Sequence, residues 1–409
     1  MIGLIKAGRF TAAVLFVTVG VSMLLDRAAG THMLGQLISW WPLLFVAAGL
    51  ELILLQFLSN SRETAVKLDP VAIFFSVVIC AVVAGSQGFS QGLLSGLNLK
   101  VGALQSRSFD KEPAEFILTP AVTQVHAINT NGHIELAAGD GDAVRIQATV
   151  WVNDDDEQEA RKIADASHVE QSIQGTELTL KAVGEEYTKA WFVKNKARID
   201  ITVTLPRTAS LDYLAETENG AVHAAGLRTL NLFSAHTSNG SVELTDIQGH
   251  VEAVTANGKI SVSSISGAVK AQTVNGEVVI RETGAGVHAA ASNGKVTLSS
   301  VKGDAVARTD NGSVKIKDVS GRIQAETENG SVRLESAEMA GDWQASTNNG
   351  RITIRLPGEA GFKVQGSARV LHTGLPVRLE EEKLSGTVGS GEHNLAIRTD
   401  GEISLETVN

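Results

Sequence analysis

Asn-Gly recurs at Asn219, Asn239, Asn257, Asn275, Asn293, Asn311, Asn329 and Asn349, at successive spacings of 20, 18, 18, 18, 18, 18 and 20 residues. A fixed period of this size constrains folding more than any local propensity does. Each repeat must be one structural unit that buries its apolar face against its neighbours. A second glycine follows half a period later at Gly249, Gly267, Gly303 and Gly321, with Ala285 in the same column, so each period holds two turns.

Between the turns, apolar residues alternate with period two, the mark of strands. The unit at 258–275 places Ile260, Val262 and Ile265 on one face, followed past Gly267 by Val269, Ala271 and Thr273. Later units repeat this with Val278, Ile280, Val287 and Ala289, and again with Val314, Ile316, Val319, Ile323 and Ala325. The same side chains at one fixed period favour coils stacked in register over a chain of hairpins. The expected fold is an all-β parallel β-solenoid with two strands per 18-residue coil, spanning 215–350. β caps are expected at 113–214 and 351–409, the first with a short helix in the acidic stretch from Asp154 to Ala166.

Stacking in register makes further demands. The eight Asn residues should form a side-chain amide ladder with left-handed backbone angles tolerated there, and the glycines should supply positive φ at the corner. Thr217, Thr237, Thr255, Thr273, Thr309, Thr327 and Thr347 sit two residues before the Asn and form a second column. Outward columns should avoid like charges on adjacent coils. One reads Lys259, Glu277, Lys295, Ser313, and another Arg281, Ser299, Lys317, Glu335, Arg355.

Ahead of the repeats lie three apolar stretches with charges at their ends, and we expect transmembrane helices at 8–27, 37–58 and 69–89, then a linker at 91–112. Lys6, Arg9, Arg62 and Lys67 place the N-terminus inside and everything beyond about residue 90 outside, in a bacterial cytoplasmic membrane with the lipid bilayer as partner. Trp40 and Trp41 then fall at the outer interface, and Leu25-Asp26-Arg27-Ala28 offers no cleavage site beside the first stretch. Glu51 lies inside the second stretch. It is either an intramembrane functional group or a carboxyl bonded to a hydroxyl such as Thr18, Ser22 or Ser76. The single cysteine, Cys80, excludes an intramolecular disulfide and a cysteine-rich zinc site.

Charge is unevenly spread. The chain has 35 Lys and Arg and 45 Asp and Glu, of which only six and four lie in the first 100 residues. The remainder therefore carries 29 against 41, which disfavours general nucleic-acid binding.

Repeated Asn-Gly-x-Val-x-Leu, the segments Thr204-Leu205-Pro206 and Ile354-Arg355-Leu356-Pro357, and the Gly-rich ending make residues from about 120 to 409 resemble the putative-adhesin β-strand-repeat family of bacteria. That resemblance implies the architecture but little about molecular function. Residues 3–58, with Trp41-Pro42-Leu43-Leu44 followed by Gly49-Leu50, resemble the membrane region of Lia-type envelope-stress proteins.

Catalytic patterns are missing from the sequence. The closest carboxylate pairs, Glu216 with Glu218 and Glu326 with Glu328, are far apart in coil number. Neither a Ser-His-Asp order, a His-Glu-x-x-His nor a phosphate loop occurs. The turns lack the carboxylates of calcium β-rolls. We therefore expect no enzyme activity, no cofactor and no metal. Aromatic platforms for sugars are sparse, with only Tyr213, Phe233, Trp343 and Phe362 beyond residue 210. The remaining candidate is a basic face, Lys259, Arg281, Lys295, Lys315, Lys317, Arg333, Arg351 and Arg355, suited to an anionic envelope polymer. The expected role is a membrane-anchored surface module binding such a polymer or a protein. The alternatives are an accessory to a membrane sensor protein in an envelope-stress system and, with topology reversed, a cytoplasmic polymer-forming scaffold.

Overall fold

The computed structural model describes residues 106–408 other than 155, 189–193 and 359, a strand pair at 3–7 and 64–68, and scattered helical residues between 11 and 54. The chain divides into two units, Met1–Leu104 and Gln105–Asn409.

In the first unit, Gly3–Ala7 and Thr64–Leu68 pair in parallel, with Lys6 opposite Lys67. Glu51 is buried, and its Oε2 accepts hydrogen bonds from the amide of Thr11 at 2.8 Å and from the Thr11 hydroxyl. A hydroxyl partner is thus Thr11, whereas Thr18 donates to the Val14 carbonyl one helical turn back. Among the described residues no helix is long and apolar enough to cross a membrane. The third expected span and most of the first two lie outside the described residues, as do Trp40, Trp41, Cys80 and 91–105 of the expected linker.

The second unit is built from two parallel sheets that share each coil. Ile260–Ile265, Val278–Thr283, Val296–Val301, Val314–Val319, Val332–Glu335 and Ile352–Pro357 stack in the first sheet, every pairing offset by one repeat. Val269–Asn275, Val287–Asn293, Ala305–Asn311, Ile323–Asn329 and Trp343–Asn349 stack in the second. Val242–Asn257 contributes to both sheets through its two halves. The alternating residues point inward as expected: Ile260, Val262, Ile265, Val269 and Ala271 are all at most 2% exposed. Each such Ile or Val contributes roughly 1.5–3 kcal/mol on burial. Tyr213, Phe233, Trp343 and Phe362 are likewise core residues, which removes them as sugar platforms.

Coil geometry continues on both sides of 215–350. Gln124–Asn131 pairs with Asp212–Asn219, bringing Asn131 under Asn219. At the other end His393–Thr399 and Glu402–Val408 pair with Trp343–Asn349 and Ile352–Pro357. Antiparallel strands then close both ends. Ala143–Val152 lies against Arg198–Pro206, and Lys383–Val388 against Phe362–Ser367. Arg107–Asp110, in the expected linker, is a strand on Ala143–Val152 because Phe109 reaches the core beneath the Arg161 guanidinium. The expected helix runs Glu157–Ala166, capped by Asp156, whose carboxylate accepts from the amides of Gln158 and Glu159.

The amide ladder is continuous. Each Asn from Asn239 to Asn349 donates from Nδ2 to Oδ1 of the Asn one coil earlier, seven bonds of 2.9–3.1 Å. One expectation about the corners needs correction and the other holds in part, since Gly249, Gly294, Gly312 and Gly330 have positive φ of 138–158°. No Asn of the ladder has a left-handed backbone; the left-handed column is Asp246, Ser264, Glu282, Ser300 and Asp318, with φ of 52–57°. These residues lie between paired positions such as Thr245 and Ile247. The left-handed step puts two successive residues outward, so the inward series can run Val262 then Ile265. The Asn-Gly glycines, in turn, are required by close approach. A Cβ on Gly276 would collide with the carbonyl oxygen of Gly258, and one on Gly258 with that of Gly240.

Candidate functional site

The outer face of the first sheet carries two side-chain columns. One runs Val279, Thr297, Lys315, Arg333, Thr353, and its neighbour Arg281, Ser299, Lys317, Glu335, Arg355. Lys259, Lys295 and Arg351 precede the strands at the adjoining corner. The eight cations anticipated from sequence therefore share a face. Ion pairs divide them into two groups.

Lys259 meets Glu277 at 3.8 Å, and Lys317 meets Glu335 at 3.5 Å. Arg355 is bracketed by Glu335 at 3.6 Å and Glu406 at 3.2 Å, and Arg351 holds Glu402 at 2.6 Å. These four are neutralised along the columns. Arg281, Lys295, Lys315 and Arg333 are exposed and have no carboxylate partner among the described residues. They supply one free cation on each of four successive coils, starting at Val278–Thr283. Arg281 has the neutral register partners Ser263 and Ser299, and Lys295 follows Glu277, itself paired with Lys259, in its column, whereas Lys315 and Arg333 are direct register partners.

The Asn and Thr columns lie along the opposite strand ends. The Asn residues are exposed, while the Thr residues are buried and donate to a glycine carbonyl of the preceding coil, as Thr273 does to Gly258 at 3.1 Å. The same bond runs from Thr217 to Thr399 except at Ala291, which occupies the Thr position in its coil. Both columns serve as scaffold.

Two polar groupings escaped sequence reasoning. Near the N-terminal end, Arg198 stacks over Trp151 and donates from Nε and Nη2 to the Asp200 carboxylate at 2.9 and 2.8 Å, and the His133 amide donates to the same group. Burial alone would raise the Asp200 carboxyl, but those donors outweigh it and hold the group below the usual carboxylate range. Burial, aided by Arg198 and His223 against the pull of Asp200, lowers His133. Its Nδ1 accepts the Ala221 amide at 2.8 Å, so this group clips the cap to the first coil.

On the outer face of the second sheet, His236 Nε2 lies 3.0 Å from the Ser234 hydroxyl and its Nδ1 lies 3.8 Å from Glu216, which also meets His126 at 2.9 Å. The order Ser-His-Glu is that of a hydrolytic triad, but 3.8 Å exceeds a hydrogen bond. Ser234 also stands in a strand paired on both sides, Leu214 on one and Glu252 on the other. An oxyanion would find no convergent free amides there. Glu216 and His236 both sit three residues before a ladder Asn, the signal from which their contact was readable. Among the described residues no group of three or more His, Cys, Asp or Glu is placed to hold a metal ion.

Residues 127–406, most of the coils and both caps, match the family described as Toastrack DUF4097. The chain belongs to that family. The match bears out the β-repeat resemblance; it does not include 3–58, where the Lia-type likeness is expected from the sequence. No curated protein matches the sequence. Solved structures similar to the Toastrack region include a "putative cell adhesion protein" from Clostridium sporogenes, at 12% identity over 73% of this chain and 99% of that one, with a TM-score of 0.16. Others are a "putative adhesin" from Bacteroides fragilis (13% identity, 74% and 98% covered, TM-score 0.25) and one from Parabacteroides distasonis (12%, 75% and 98%, TM-score 0.28).

Proposed function

We propose that the chain is a non-enzymatic, membrane-anchored surface module whose Toastrack domain holds an anionic polymer of the cell envelope against the outer face of its first sheet. The observation that carries this reading is the run of four unpaired cations, Arg281, Lys295, Lys315 and Arg333, on a unit that is otherwise acidic. A face serving only solubility would be expected to interleave its charges, as Lys317, Glu335 and Arg355 do along the neighbouring column. Anchoring is supported by the three apolar stretches, and outward display by Lys6, Arg9, Arg62 and Lys67 at their ends. Protease added to intact protoplasts should degrade the Toastrack domain; full protection reverses the topology. Co-sedimentation with cell-wall material should fall as salt rises, and should be lost when Arg281, Lys295, Lys315 and Arg333 are changed to Glu. Equal binding by both proteins removes this face from consideration.

A further inference from the structure

In the second unit, oppositely charged or neutral residues face one another across nearly every register position: Lys270 meets Glu252, Arg308 meets Glu326, Lys317 meets Glu335. Among the described register partners of this unit, Lys315 and Arg333 are the one pair of like charges directly opposed. Adjacent parallel strands are about 4.8 Å apart, so the two cations rise from neighbouring coils at that separation, without a carboxylate between them. Such a pair is destabilising unless something anionic sits on it. Lys295 stands on the next coil, one column over, about 8 Å from Lys315 by strand spacing and rise per residue.

We propose that Lys315 and Arg333 together seat one phosphate of a phosphodiester-linked polyol chain, and that Lys295 takes the adjacent phosphate. This deepens the preceding proposal and rests on its reading of the face. Phosphate suits the pair better than carboxylate. The guanidinium of Arg333 presents a planar fork to two oxygens, and the ammonium of Lys315 is a compact point charge. The non-bridging oxygens of a phosphodiester accept all round each P–O axis, so the Arg333 fork and the Lys315 ammonium can share them from different sides. A carboxylate accepts chiefly in its own plane, which the Arg fork occupies. Thr297 strengthens the assignment. It opposes Lys315 from the preceding coil, and its hydroxyl oxygen is buried without a hydrogen-bond partner. A rotation about its χ1 that brings the hydroxyl to the surface gives it an acceptor in a phosphate drawn onto Lys315.

The test uses the full chain in detergent micelles with defined probes: poly(glycerol phosphate), polygalacturonate of matched charge number, and a single-stranded oligodeoxythymidylate. Binding is measured over a salt series for the parent, a Lys315→Gln/Arg333→Gln variant and a Lys317→Gln/Arg355→Gln control in which ion-paired cations are removed. We expect the parent to bind poly(glycerol phosphate) at least about tenfold more tightly than polygalacturonate, with the first variant weakened by about tenfold or more and its salt dependence shallower by about two released counterions. The control should change by less than about threefold. The polymer should raise the parent's melting temperature but not the first variant's. Without polymer that variant should melt no lower than the parent, since it loses only a repulsion, so weakened binding cannot be blamed on misfolding. Preference for polygalacturonate that still depends on Lys315 and Arg333 overturns the phosphate assignment while leaving the binding face intact. Tighter binding of the oligodeoxythymidylate overturns the polyol class. Poly(glycerol phosphate) binding unaffected by the first variant overturns the site. If no probe binds while cell-wall material does, the phosphodiester assignment fails; if cell-wall material fails as well, so does the function it rests on.

Discussion

Gly276 is the sharpest place to perturb the stack, because its replacement adds one methyl and changes no charge. In Gly276→Ala the new Cβ falls deep inside contact with the Gly258 carbonyl oxygen, which belongs to the backbone of the neighbouring coil and cannot rotate away. The coils must separate locally. The bonds exposed to that separation are Gly258 N–H to Asn275 O at 3.0 Å, Thr273 hydroxyl to Gly258 O at 3.1 Å, and the side-chain amide bond from Asn275 to Asn257 at 2.9 Å. Losing or lengthening two of these at about 1 kcal/mol each, with about 1–3 kcal/mol for overpacking, gives a cost of about 3–5 kcal/mol. Stacked repeats open locally, so the measurement is hydrogen exchange of peptides covering 269–296 beside peptides of the distant coil at 393–408. Protection should collapse in the first and hold in the second. Gly374→Ala, where an added Cβ meets nothing within 4 Å, is the control. If Gly276→Ala leaves protection and melting temperature within the range of Gly374→Ala, close approach is not the reason for the glycine column.

Other substitutions test the remaining columns. Asn293→Asp keeps an acceptor for Asn311 but sets an oxygen against Asn275 Oδ1; because the ladder is exposed, a loss of about 1–2 kcal/mol in urea unfolding is expected, shrinking when the new carboxyl is protonated in acid. Ala291→Thr completes the buried Thr column and should stabilise by about 0.5–1.5 kcal/mol in the same assay. Glu282→Gly relieves a left-handed φ of 54° at an exposed position and should raise stability by about 0.5–1 kcal/mol, despite the lost acceptor for the Ser264 hydroxyl. Asp200 has a depressed carboxyl, so its contribution is present above the unfolded pKa and is lost as pH falls through the lower folded value; Asp200→Asn should flatten acid unfolding in that window.

The inward residues and the Asn ladder were legible because they repeat: a column of identical side chains fixes which positions oppose. The corner mechanics were not, since Ser264, Glu282 and Asp318 share a backbone angle but no residue type that marks it. Coils beyond 215–350 were hidden for a related reason. Asn131 and Asn219 are register partners with a long excursion between them, so no short period connects them. The ion pairing within the basic face required the partners across coils, and the contact of Arg351 with Glu402 spans a 51-residue separation.

The two kinds of column also answer to different physics. An inward Val or a turn glycine is constrained by atoms of the coil on either side, so it tolerates little change wherever it lies in the stack. An outward residue on the first sheet is constrained only by its register neighbours' charge, a term of about 0.2–1 kcal/mol. Free variation under that weak constraint would tend to interleave signs, as Lys317, Glu335, Arg355 and Glu406 do. Lys315 against Arg333 runs against the trend at a site the fold does not require to be basic. The place where the scaffold's own preference is overridden is where a ligand's preference is to be sought.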